Sequence, residues 1–172
     1  ENGEVDAIEQ ISSQYFDHLN DYLYSFVGGG MMFLWINQQG TSPETAELLS
    51  NQNFRQALNY GFDRSATVSA VNPGYKAYNR LVDSNFTGPG GGKFVDEYSV
   101  ETVPLSGDVD KAKEYLAAAM EELGYSDVSQ LPQLELITWD DSEQKLLLET
   151  IIDQWKKNLG LENVQLTQYV IG

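Results

Sequence analysis

The stretch LELITWDDSEQKLLLETIIDQWKKNLGLENVQLTQYV, residues 134–170, carries the alternation on which the fold class turns. Leu134 to Thr138 is short, apolar-rich and partly alternating, as a strand with one covered face is. Asp141 or Ser142 then offers an N-cap oxygen for the helical run that follows. Leu147, Leu148, Ile151, Ile152, Trp155 and Leu159 fall on one stripe of that helix. Gly160 stops it, and Val164 to Val170 reads as a second strand. Strand, helix, strand is the repeat of an α/β sheet with helices packed on it.

The same grammar extends toward the amino end. Asp108 caps a helix whose stripe is Ala112, Tyr115, Leu116, Ala119, Met120 and Leu123, with Gly124 in the left-handed closing position. Asn53 to Tyr60 reads as a helix with Phe54, Ala57 and Leu58 on one side. Asp63 caps a further short helix, Arg64 to Val71, which Pro73-Gly74 ends. Between these, residues 75–107 are irregular and hold Gly88-Pro89-Gly90-Gly91-Gly92, which predicts an extended surface excursion. Met31 to Ile36 is continuously apolar and is predicted as a strand buried on both faces. Asn37 to Pro43 is a loop. Ile11, Tyr15, Leu19, Tyr22 and Leu23 recur at helical spacing, with Ser12 and Ser13 as cap oxygens. Tyr24 to Val27 reads as a short strand broken by Gly28-Gly29-Gly30. The last strand has no closing element, which predicts a piece of a longer protein.

The totals bound the rest. A chain of 172 residues, 41% hydrophobic and 12% aromatic, can bury the core of a single domain. Its longest strongly apolar run, Met31 to Ile36, is too short to span a bilayer. No signal peptide opens the chain, so a leader has been removed or the chain is an internal piece. Lys and Arg number 10 against 26 Asp and Glu, a formal charge of −16. No basic face is left over to neutralise phosphates, which excludes a nucleic-acid partner. With no cysteine, disulfides, thiolate nucleophiles and Cys-based zinc sites are excluded too.

Few residues look chemical. Asp140-Asp141 follows a strand, where α/β folds place ligands, and could hold a metal or do acid–base work. An N-cap and a first-turn charge explain the pair as well. The glycine run with Lys93 lacks the spacing of a phosphate loop, and Phe94 stands where Ser or Thr is needed. Asp108 and Asp110 alternate like a calcium loop without its glycine and closing Glu. His18, the only histidine, sits among polar neighbours on the side away from Tyr15 and Leu19. Ser12, Ser13 and Ser65 sit in no nucleophile elbow. No catalytic set assembles, so the chain reads as a non-enzyme without cofactor or metal.

Three stretches together resemble the oligopeptide- and dipeptide-binding proteins of ABC importers, the family 5 solute-binding proteins. Gly3-Glu4-Val5-Asp6 is similar to the segment after that family's lobe-crossing strand. Phe33-Leu34-Trp35-Ile36-Asn37, followed by Asn53 to Arg64, resembles its aromatic strand and its Arg-Gln-Ala-Leu…Asp-Arg helix pair. Lys111-Ala112-Lys113 onward, with Gln154 to Gly160 and the next strand, is similar to its late helices and strand. The resemblance implies a type II periplasmic-binding-protein-like α/β lobe, a mixed sheet flanked by helices and incomplete here. Residues 1–172 would be a single domain, part of the second of two lobes.

It further implies an extracellular or periplasmic protein, lipid-anchored through a Cys before this segment, monomeric, that captures a peptide or other small solute and hands it to a membrane permease. Ligand-facing residues implied are Leu34, Trp35 and Asn37 at one strand, and Trp139, Asp140 and Gln144 at another. Arg55, Asp63, Arg64, Trp155 and Gly160 would hold the fold, with Arg55 reaching acidic neighbours. Two other readings stay open: a small metal-dependent α/β hydrolase using Asp140 and Asp141, and an acidic surface module docking a basic partner.

Overall fold

The structure, a computed structural model, describes residues 7, 15–24, 30–72, 74–98 and 100–169. The segment Gly3 to Asp6, the cap candidates Ser12 and Ser13, most of Tyr24 to Val27, and Val170 lie outside the described residues. Seven α-helices and two strands are described. They are α1 (Phe16–Leu19), α2 (Pro43–Ser50), α3 (Gln52–Tyr60), α4 (Arg64–Val71), α5 (Phe94–Glu97), α6 (Val109–Leu123), β1 (Leu134–Trp139), α7 (Ser142–Leu159) and β2 (Val164–Tyr169).

The capped helices stand where their caps predict. Asp63 accepts from the Ala66 N–H, Asp108 from that of Lys111, and Asp141 from that of Gln144. Of the two candidates for the last cap, Asp141 is the one used. Gly124 and Gly160 close α6 and α7 at φ +75° and +73°, a backbone region that costs a residue bearing Cβ about 1 kcal/mol or more.

Two predicted elements differ, and α2 stands outside the prediction. Met31 to Ile36 forms no strand: it joins no ladder, and Met32, Phe33, Leu34 and Trp35 are exposed. A fully apolar strand needs partners on both edges and cover on both faces, and no described segment supplies them. The helix expected from Ile11 to Leu23 is, where described, one α-turn followed by a 3-10 turn over Asn20–Tyr22, and Tyr15 and Tyr22 are exposed. Helix α2 was not predicted, and it begins at Pro43, the end of the expected loop. Its signature is local: Ser42 caps it by accepting from the Thr45 N–H, Pro43 is the first helical residue, and Glu44 meets the positive end of the dipole.

The sheet has two strands, β1 and β2, parallel and joined by α7. Leu134 pairs with Val164, Leu136 with Leu166, and Trp139 with Tyr169. Burial alternates along β1, with Leu134, Leu136 and Thr138 covered and Glu135, Ile137 and Trp139 open. The covered face continues into a core of Phe54, Ala57, Leu58, Ala112, Leu116, Ala119, Leu148, Ile151, Trp155 and Leu159. Phe54, Ala57 and Ala112 have no exposed surface at all, which lets α3 and α6 approach closely.

Polar contacts fix where α7 sits against the α3–α4 corner. The Trp155 indole Nε1 donates to the Leu58 carbonyl at 2.9 Å, and Asn158 donates to the Gly61 carbonyl at 2.8 Å. Gln154 accepts from the Asp63 N–H at 2.7 Å and donates to the buried Thr67 hydroxyl at 2.8 Å. The last carbonyls of a helix have no partner within it. Leu58 receives Trp155, Asn59 receives Arg64, and Tyr60 receives the Asp108 N–H. Among the described residues Arg55 meets no carboxylate, unlike the expectation. It donates to the Leu49 and Ser50 carbonyls, satisfying the end of α2 with a cation.

Candidate functional site

The carboxyl ends of β1 and β2 present the most binding-like surface. Parallel register puts Trp139 beside Tyr169, and both rings are more than half exposed. Ile137, two residues back on the same face, is 56% exposed. Large apolar groups on a sheet face are normally covered, which makes this cluster the candidate surface. The Asp140 N–H donates to the Tyr169 carbonyl at 3.0 Å, extending the ladder by one bond and seating the turn.

At the other side of that turn, the Gln144 side-chain oxygen accepts from the Thr138 hydroxyl at 2.8 Å. Its amide –NH2 is thereby left as the donating end. The Asp141 carboxylate is spent on the cap, at 2.7 Å from the Gln144 N–H. Asp140 and Asp141 thus have different jobs, and among the described residues no three His, Cys, Asp or Glu are grouped to hold a metal. The arrangement can stack or cover apolar side chains on two rings, accept a cation at Asp140, and donate to a carbonyl through Gln144.

In the first turn of α7, Glu143 takes two donors. Asn72 reaches one carboxylate oxygen at 3.1 Å and the Tyr75 hydroxyl the other at 2.8 Å. This bond, with partial burial and the charges of Glu143 and Asp141, pushes the Tyr75 pKa up to about 12. Neither Tyr169 nor this Tyr75–Glu143 bridge was found from sequence. Tyr169 becomes a site residue only through the register, and Tyr75 through a bond spanning 68 residues.

Leu34, Trp35 and Asn37 lie on the open segment. Trp35 is 81% exposed and meets Phe33 edge-to-face at 4.9 Å. The Asn37 side chain accepts from the Gln39 N–H and its carbonyl from the Gly40 N–H, so Asn37 builds a turn. No hydrogen bond or ring contact among the described residues joins this group to Trp139, Asp140 and Gln144. The glycine run is closed from inside: the Glu97 carboxylate accepts from the Gly90 and Gly92 N–H groups at 3.0 and 2.9 Å. His18 is exposed.

In α/β folds the carboxyl ends of parallel strands are where ligands are placed. Residues 1–169 match the family described as "Bacterial extracellular solute-binding proteins, family 5 Middle". The chain belongs to that family. It is 32% identical over 117 residues to the oligopeptide-binding protein OppA of Bacillus subtilis (strain 168), covering 68% of this chain and 20% of that protein. It is 31% identical over 100 residues to the dipeptide-binding protein of Lactococcus lactis subsp. cremoris (strain MG1363), covering 56% and 18%. The chain therefore spans about a fifth of the length of the curated relatives it matches.

Among solved structures, that of the pheromone receptor PrgZ, described with its mode of peptide binding, superposes with a TM-score of 0.70 at 26% identity. That match covers 94% of this chain and 30% of PrgZ. Listeria monocytogenes OppA bound to peptide shares the fold, with a TM-score of 0.57 at 24% identity over 72% of this chain and 23% of that one.

Proposed function

We propose that this chain is part of the second lobe of the solute-binding component of an ABC importer. The complete protein captures a peptide or a similar small solute outside the membrane and delivers it to a permease. The ligand lies across the carboxyl ends of β1 and β2. The Trp139–Tyr169 pair, exposed and in register, is the observation that carries this reading. A peptide suits the groups around it: Trp139 and Tyr169 cover a side chain, Gln144 donates to a backbone carbonyl, and Asp140 receives a cation. Leu34, Trp35 and Asn37, on the open segment, meet the ligand from a second side in the whole protein. Closure of a facing lobe is a population shift driven by contacts to both sides.

The protein is a carrier and not an enzyme, lies outside the cytoplasm, and is held there by a lipid on a preceding Cys. No described helix is long and apolar enough to cross a membrane. The relatives named as oligopeptide- and dipeptide-binding proteins support a peptide as ligand.

Calorimetry on the complete protein tests this. Trp139→Ala and Tyr169→Ala are each expected to weaken peptide binding by about tenfold to a hundredfold, the worth of one aromatic anchor. The 172-residue chain alone is expected to bind peptides far more weakly, because the facing lobe is missing. Micromolar peptide affinity for the chain alone, or unchanged affinity in both variants, sinks the reading.

A further inference from the structure

A second cleft lies away from the strand ends, between α3, α6 and residues 101–103. Its volume is about 280 Å3. Clefts for drug-sized ligands run from about 300 to 1,000 Å3, so this one fits a smaller solute. It shares no residue with the Trp139 surface.

Its lining is unusual for this chain. Arg64 and Lys111, two of only ten cations in a chain of charge −16, both face it. Neither has a carboxylate at ion-pair distance among the described residues. The Arg64 guanidinium is fixed: it stacks on Phe62 at 4.4 Å from the ring centroid and donates to the Asn59 carbonyl at 3.1 Å and to the Asn59 side-chain oxygen. A guanidinium carries five N–H donors, so donors remain for the cleft. Partial burial lowers its pKa, yet a guanidinium stays charged, and a desolvated cation without an anion is a costly arrangement. Lys111 sits over the Tyr60 ring at 4.8 Å, held against α3.

Glu101 lies on the facing wall; Tyr60 is the main group favouring protonated Lys111, and the Glu101 charge adds the least. Gln56 and Asn79 add amides, and Asn79 ties the wall in place by donating to the Val103 carbonyl at 2.7 Å. Two fixed cations opposite one acid fit a carboxylate attached to a cationic body. A phosphate dianion would be opposed by Glu101 and by the net charge of the chain.

We propose that this cleft binds a small zwitterionic solute of amino-acid size, its carboxylate between Arg64 and Lys111 and its ammonium group toward Glu101. The inference does not depend on the peptide reading, since it uses none of the same residues.

Titrating the 15N-labelled complete protein with glycine while recording backbone amide shifts tests it. Saturable shifts are expected at Asn59, Arg64, Lys111 and Tyr115. Lys111→Gln, on a half-exposed helix face, is expected to weaken binding by about tenfold with an unchanged spectrum elsewhere. Arg64→Lys, which keeps the charge and loses the fork, is expected to weaken it as well. Shifts confined to the Trp139 end overturn the proposal. So does the absence of saturation, glycine affinity unchanged in Lys111→Gln, or inorganic phosphate producing the same shifts at the same affinity.

Discussion

Trp155 does two jobs that one substitution can separate. Its ring fills the core at 2% exposure and meets Phe62 edge-to-face at 6.3 Å, while its Nε1–H serves the Leu58 carbonyl. Trp155→Phe keeps an aromatic ring and removes the donor, leaving a buried carbonyl unpaired. The expected loss is about 1–3 kcal/mol from the orphaned acceptor, with further loss from the smaller ring, measured by urea unfolding. A change below about 0.5 kcal/mol would mean that water serves Leu58 instead. Tyr75 offers a pH handle. Its folded pKa of about 12 lies above the ordinary 10.0, so the hydroxyl bond to Glu143 contributes stability below about pH 10. That contribution fades as pH rises toward about 12, where the tyrosinate faces a carboxylate. Thermal melts of the wild-type chain and Tyr75→Phe are expected to differ below that window and to converge across it. Parallel curves throughout would remove the bridge from the account.

Helices α4, α6 and α7 begin on aspartates that each spend a carboxylate on the third backbone N–H along. Replacing Asp141 by Ala is expected to cost about 1 kcal/mol in denaturant unfolding, with Asn restoring most of it. An unchanged midpoint for Asp141→Ala would assign the start of α7 to packing alone. These starts were readable because a cap and its stripe are written within a few neighbouring residues. The Ser42-Pro43-Glu44 start of α2 is written as plainly. Met31 to Ile36 misled for the opposite reason: a strand exists only with a partner, and apolar composition does not say where the partner is. The candidate site divides the same way. Trp139, Asp140 and Gln144, named from the family resemblance, sit around the carboxyl end of β1, whereas Tyr169 enters only through the register. The Gln154 and Asn158 bonds to the α3–α4 corner depend on side chains meeting across more than 90 residues, and no spacing rule reaches that far.

The ion pairs of the described residues contribute little to stability. The pairs described are Lys145–Glu149 and Lys156–Glu162, both exposed, a class worth about 0–1 kcal/mol each. Cohesion comes from the apolar core and from the clamp of α7 on the α3–α4 corner. That clamp has a consequence for synthesis. Leu58 and Trp155 are 97 residues apart in the chain. Growth from the amino end brings Asn51 to Arg64 out of the ribosome long before α7 exists. Through that interval the Leu58 and Gly61 carbonyls can bond only to water, and Phe62 lacks the indole it meets edge-to-face. A ribosome stalled just upstream of Trp155 therefore holds a polypeptide that cannot yet complete its core.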